Sequence, residues 1–246
     1  MIDGATPKTT FRYPDGATPG LMATRLVTRA IQSMPAALTA YEAVRHITSC
    51  LHQDSVRPAD RPIASVVIYS QSRHEVWMVG DCQFMTRTVT AGGDDVTAAF
   101  DNRKRIDLLL SEWRRDVITS LISRGVMTAD DIRHDDVGRR IIQHFITQQV
   151  RYQNMSAHHR LAYGMLDGEP IPEQYIRIYP LAPQVTELVL ATDGYPVLCP
   201  TLAESESRLH AMLNADPLCI GCLLGTKGVS EGNTSFDDRT YLRIKR

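Results

Sequence analysis

Four aspartates stand where apolar, strand-like stretches end or begin. Asp3 follows Met1-Ile2, Asp81 follows "VWMVG", Asp193 follows "ELVLAT", and Asp237 precedes the alternating run "TYLRIKR". A strand end holds a side chain rigidly, and Asp has the shortest carboxylate arm, with little rotamer freedom to lose. Carboxylates gathered at one spot repel and raise each other's pKa unless a cation lies between them. All-oxygen ligation of this kind suits hard ions such as Mg²⁺ or Mn²⁺. Glycine follows Asp3 and Asp193 and lets the backbone come close to an ion or its waters. A lone Asp-Gly is more often a turn than a ligand. The coincidence of Asp with strand ends at distant places is what points to chemistry.

The elements that would position these residues are legible in part. Thr18-Pro19 reads as an N-cap with proline in the first turn, opening a helix through about Ser33. Pro35 opens a second helix, with Leu38, Tyr41, Val44, Ile47 and Leu51 at spacings of three and four. "HQDSVRPADRP" (52–62) is a polar loop. "IASVVIYSQSRHEVWMVGDCQF" (63–84) predicts a β-hairpin turning near Gln71–His74. "AGGDD" (91–95) reads as loop. From Asn102 to Gly125 the pattern is helical, with Ile106, Leu109, Leu110, Trp113, Val117 and Leu121 facing inward. Thr128 and Asp131 approximate a capping box for a following helical stretch that breaks near Gly138. "QYIRIYPL" (174–181) and "ELVLATDGY" (187–195) predict adjacent strands, Thr201 and Glu204 cap a helix over 201–216, and the final residues alternate as a strand with one wet face.

The bulk numbers exclude several classes. Lys plus Arg is 27 and Asp plus Glu is 28, for a net charge of −1, and 43% of residues are apolar. No basic block suggests nucleic-acid binding or a polybasic membrane anchor. No apolar run approaches the roughly 18 residues of a spanning helix. "MIDGATPKTT" has no secretion-signal pattern, and five cysteines read as reduced thiols. The expectation is one cytoplasmic domain over 1–246 that binds neither nucleic acid nor membrane.

Four segments carry a family resemblance. "VWMVGDCQF" is similar to a "vGDSR" strand end, "ELVLATDGY" to "lLLaSDGl", "SFDDRTYLRI" to "DNiTvivv", and "MIDGATPKT" to an early "DGsTsKT" or "DGAT" motif. These are the motifs, in order, of the metal-dependent protein phosphatases, the type-2C serine/threonine family, in its bacterial form. The resemblance implies an α+β fold, a four-layer α-β-β-α sandwich of two antiparallel sheets flanked by helices. It implies Asp3 as the carboxylate bridging two Mn²⁺ or Mg²⁺ ions, the Gly4 carbonyl as a ligand, and Asp193 and Asp237 on one ion. Asp81 would stand at the rim, where the family can hold a third ion. Asp237 is preferred to Asp238 because "DDRT" overlays "DNiT" with its first Asp as ligand.

The implied activity is hydrolysis of phosphoserine or phosphothreonine in a phosphoprotein substrate by a metal-activated water, so no cysteine need be a nucleophile. The opening repeats Asp-Gly-Ala-Thr-Pro at 3–7 and 15–19. The first copy is followed by Lys8-Thr9, as in the bacterial motif, so Asp3 is preferred as ligand and Asp15 as a loop residue. Two departures stand out. The strand, the Arg and the "ED" pair that precede the family's DG motif have no counterpart before Asp3, so either the true start lies upstream or part of the site has been lost. Ala5 replaces a common His. Lys8, or an Arg of 103–105, is the substitute for the phosphate contact. A catalytically impaired, phosphatase-like binding or regulatory protein is the alternative, as is a hydrolase of small phosphoesters. Cys219-Ile-Gly-Cys222 has half a zinc spacing but no second pair, and "GTKG" (225–228) lacks the phosphate-loop spacing.

Overall fold

The computed structural model describes residues 1–6, 9–53, 55–89, 95–101, 103–156 and 158–246. They form two compact units. Unit 1 comprises Met1–Asn102, Val150–Asp193 and Tyr241–Arg246; unit 2 comprises Arg103–Gln149 and Gly194–Thr240. Among the described residues no helix is long and apolar enough to cross a membrane.

Unit 1 holds two antiparallel four-stranded sheets. Its elements are β1 (Ile2–Gly4), α1 (Pro19–Ser33), α2 (Ala40–Leu51), β2 (Ala64–Ser70), β3 (Glu75–Val79), β4 (Gln83–Val89), β5 (Asp95–Phe100), β6 (Arg177–Pro180), β7 (Val185–Ala191) and β8 (Tyr241–Lys245). The first sheet runs β1-β2-β3-β6 and the second β5-β4-β7-β8. The fold is therefore α+β, with two antiparallel sheets and flanking helices, as expected. β6 and β7 are not neighbours, contrary to the sequence reading. β6 pairs with β3 in one sheet and β7 with β4 in the other, because the turn between them carries the chain across the core.

Alternation along β2 shows what each face meets. Val66 joins Val79, Trp77 and residues of α1 and α2 in one buried cluster, while Val67 joins Met78, Phe84, Leu188 and Leu190 between the sheets. Fully burying each such side chain contributes about 1.5–3 kcal/mol. Thr18 caps α1 by accepting from the Leu21 N–H, with Pro19 in the first turn. The second helix starts at Ala40 and not at Pro35. Thr39 and Glu42 form a complete capping box, which satisfies orphan N–H groups that Pro35 would have left open.

Unit 2 contains α3 (Arg105–Ser123), α4 (Ala129–His134), α5 (Val137–Gln148) and α6 (Leu202–Ala215). Thr128 with Asp131, and Thr201 with Glu204, make the capping boxes of α4 and α6. Arg114 of α3 is wholly buried. Its guanidinium grips Asp136 (Nη2–Oδ2 2.7 Å) and donates through Nη1 to the carbonyls of Leu218, Cys219 and Gly225 at 2.9, 3.3 and 3.1 Å. Of the residues expected inward on α3, Ile106 and Leu110 are buried, whereas Trp113 is 44% exposed beside the buried Arg114.

Candidate metal centre

Asp3, Asp81 and Asp193 all lie in unit 1: Asp3 within β1, Asp81 two residues after β3 and Asp193 two residues after β7. Asp3 of β1 stands opposite Ser65 of β2. Ser65 shares the face of Val67, two residues on, which is the face toward the second sheet. The Ser65 hydroxyl donates to Asp81 Oδ1 in a short hydrogen bond. Asp81 occupies the crossing between sheets, Gly80-Asp81-Cys82, where β3 gives way to β4. Gly80 has φ +88°, and a Cβ there would lie 2.6 Å from the Ser65 side chain. Only glycine permits this turn. Asp193 follows β7, and the buried Gln83 amide donates to the Thr192 carbonyl at 2.9 Å, tying the two strand ends together.

The Cys82 thiol is fully buried in the inter-sheet cluster, and its pKa is pushed well above the ordinary thiol value. Burial is the largest cause, followed by the negative charges of Asp3 and Asp81, with Asp193 adding to them. Coulombic influence of this kind falls off with distance and screening. Gly4, the predicted carbonyl ligand, pairs with Ala64 at the end of β1.

The remaining predicted residues lie elsewhere. Asp237 is in unit 2, where Lys227 Nζ meets its Oδ1 at 2.8 Å; the two side chains are 28% and 24% exposed. Burial raises the Asp237 carboxyl above its ordinary value and Lys227 pulls it down, burial being the larger effect. Asp15 accepts from the Ala17 N–H and pairs with Arg25, an ordinary turn residue. Lys8 lies outside the described residues. Thr9, just after it, donates to the buried Asp60 at 2.6 Å. Arg103 donates to the Pro196 carbonyl at 3.1 Å.

Unit 2 also holds a polar brace that the sequence reading missed. Tyr195 donates its phenol to Glu206 Oε1 at 2.5 Å, and Arg239 clasps the same carboxylate at 2.8 and 2.6 Å. A Cβ on Gly194 would lie 2.3 Å from the Asp238 carbonyl oxygen, so segment 237–239 runs flush against residue 194. Arg239 stands in the quoted "DDRT", but its partner Glu206 is on another helix, and sequence spacing does not reveal such a pair. Burial and Glu206 push the Tyr195 phenol up to about 12, and Arg239 foremost holds Glu206 down at about 2. A phenol whose pKa is raised on folding stabilises fully below its unfolded value of about 10. Unit 2 should therefore lose stability as pH rises from about 10 to about 12. A tyrosinate absorbance titration beside far-UV circular dichroism checks this, with Tyr195→Phe removing the effect.

Carboxylate oxygens of Asp3, Asp81 and Asp193 suit a hard divalent cation in type and charge. Among the described residues, however, no group of three or more His, Cys, Asp or Glu side chains is spaced to surround an ion. The donor chemistry fits a hard cation, whereas the spacing among the described residues does not.

No protein-family model and no curated protein matches the chain. Among solved structures the chain is similar to serine-threonine phosphatase 2C from Toxoplasma gondii, at 12% identity and a TM-score of 0.30, over 79% of this chain and 69% of that one. A TM-score of 0.30 is too low for that likeness to define anything here; the architecture rests on its own strand pairings.

Proposed function

We propose that the chain is a divalent-metal-dependent phosphoric monoester hydrolase, acting on phosphoserine or phosphothreonine of a protein. The observation that supports this reading is the pair of antiparallel sheets in which Asp3 lies within β1, Asp81 just after β3 and Asp193 just after β7, the strand-end placement that the motifs imply. Asp3, the Gly4 carbonyl and Asp193 would hold the cation, with Asp81 beside them, oriented by Ser65. A divalent cation in such a place supplies Lewis acidity and a water acidic enough to react near neutral pH. The chain's own part is to fix the donors. The β1–β2 register sets Asp3, the Gly80 turn sets Asp81, and the Gln83–Thr192 bond sets the approach to Asp193. Cys82 stays protonated in this field and takes no part as a nucleophile.

Hydrolysis of an aryl phosphate and of a phosphothreonine peptide, each with Mn²⁺ and after chelation, tests the reading. Turnover that appears with Mn²⁺ and vanishes on chelation is expected for both substrates. Turnover of the aryl ester alone points to small phosphoesters. No turnover of either overturns the enzyme reading. The second reading, an impaired phosphatase-like binding or regulatory protein, is favoured by one observation: Asp237 is already paired with Lys227.

A further inference from the structure

Helices α3 and α5 of unit 2 lie side by side and opposed in direction. A Cβ on Gly138 would lie 2.8 Å from the Ile118 side chain and 2.9 Å from that of Arg114, and further along α5 Phe145 meets Trp113, ring centroids 5.1 Å apart. Ile106, Leu110 and Ile118 of α3 and Ile142 and Ile146 of α5 are buried. A second apolar stripe is not. Trp113 is 44% exposed, Phe145 43% and Ile141 44%. Half-buried Leu109 and Val117 extend that stripe one turn either side of Trp113. An aromatic side chain buries about 150–250 Å² when covered, and a contiguous apolar patch left open on a helix pair marks an interaction surface.

The charges beside the patch select its partner. The solvent side of α3 carries Glu112 and Asp116, and that of α5 carries Arg140 and His144, each pair one turn apart. Asp116 pairs with Arg115 and Arg140 with Asp135, exposed contacts of a kind that contributes little and exchanges readily. A two-fold axis parallel to the helices lays α3 of one copy antiparallel on α5 of another. Trp113 and Phe145 stand at one level, so each ring then meets its counterpart on the second copy. The same axis turns the carboxylates of α3 toward Arg140 and His144 of the second copy. The contact is self-complementary, as a closed dimer requires. An axis perpendicular to the helices would set α3 on α3 and oppose acid to acid.

We infer that this face of unit 2 joins two copies of the chain, with Trp113 and Phe145 at its centre and Asp116 set against Arg140 of the second copy. No residue of the metal reading takes part. Two helices of this length offer a small face, near the low end of specific interfaces at about 1,200 Å² in total, so association is weak and concentration-dependent.

Sedimentation equilibrium of the full chain between about 1 and 200 µM brackets a weak interface of this size. The average mass should rise from 27.5 kDa toward twice that value. Trp113→Ser and Phe145→Ser should each weaken association at least about tenfold. Leu108 is also exposed, at 49%, but lies about 140° around α3 from Trp113; Leu108→Ser should leave association unchanged. Asp116→Arg alone and Arg140→Asp alone should stay monomeric, whereas an equimolar mixture of the two should associate, because each lost contact is remade across the pair. Circular dichroism confirms that every variant is folded. A chain that is monomeric throughout the range, leaving the face to another partner, overturns the inference. So does a dimer that survives Trp113→Ser, or a mixture that stays monomeric.

Discussion

Arg114→Met should cost unit 2 about 3–5 kcal/mol, the range for breaking a buried ion pair by removing one partner. The substitution keeps much of the apolar volume but abandons Asp136 and three backbone carbonyls, those of Leu218, Cys219 and Gly225. Each unsatisfied buried polar group adds about 1–3 kcal/mol of desolvation penalty. Arg114 is completely buried, so water cannot replace the lost donors without opening the core. The chain's two tryptophans separate the outcomes, because Trp77 lies in unit 1 and Trp113 in unit 2. In denaturant titrations, the transition followed by Trp113 in a Trp77→Phe background should shift to much lower denaturant. A shift below about 1 kcal/mol would mean that the guanidinium network contributes little. Arg114→Lys should recover only part of the loss, since an ammonium lacks the planar fork that reaches Asp136 and the carbonyls together.

Asp193→Asn should abolish metal-dependent phosphoester hydrolysis while leaving the fold intact. The replacement is nearly isosteric and keeps one oxygen, but it removes the charge that a hard cation requires. Losing about 4 kcal/mol of transition-state stabilisation corresponds to roughly a thousandfold in kcat/KM. The control is Asp15→Asn, which alters the other Asp-Gly-Ala-Thr-Pro copy. Asp15 only closes a turn and pairs with the exposed Arg25, so turnover should change less than twofold. Steady-state kinetics at saturating Mn²⁺, with matched circular dichroism spectra, gives the comparison. Equal turnover by Asp193→Asn and the unsubstituted chain would falsify the proposed role.

Local chemistry was legible wherever neighbouring residues decide it. Thr18-Pro19, Thr128 with Asp131, and Thr201 with Glu204 announce helix starts by their own hydrogen bonds, and all three appear where expected. Pro35 misled because proline suits a first helical turn, but Thr39 and Glu42 satisfy the N-terminal N–H groups better four residues later. Inward placement of Trp113 failed for a different reason. Apolar periodicity assigns polar residues to the solvent face, and here an arginine takes the core position because its carbonyl partners arrive from residues 218–225. Strand pairing was half legible. The β2–β3 hairpin follows from its turn, whereas the assignment of β6 and β7 to different sheets depends on partners far along the chain. The candidate centre divides the same way. Asp residues at strand ends can be read directly, while the ammonium on Asp237 and the Tyr195–Glu206–Arg239 brace exist only once distant segments meet. Overlay on the motif singles out the first Asp of "DDRT" and says nothing of the lysine that meets it.

The chain passes between the two units four times, and β8 joins β7 in unit 1 only with residues 241–245. Emerging from a ribosome, the second sheet therefore waits for its edge strand until the intervening segment 194–240 has been translated. Until then the Leu188 and Leu190 strand offers unpaired backbone on one side, an invitation to pair with another nascent chain. Long-range closure of this kind slows folding. Deleting the β8 segment should accordingly appear first as aggregation during expression, before any effect on chemistry can be read.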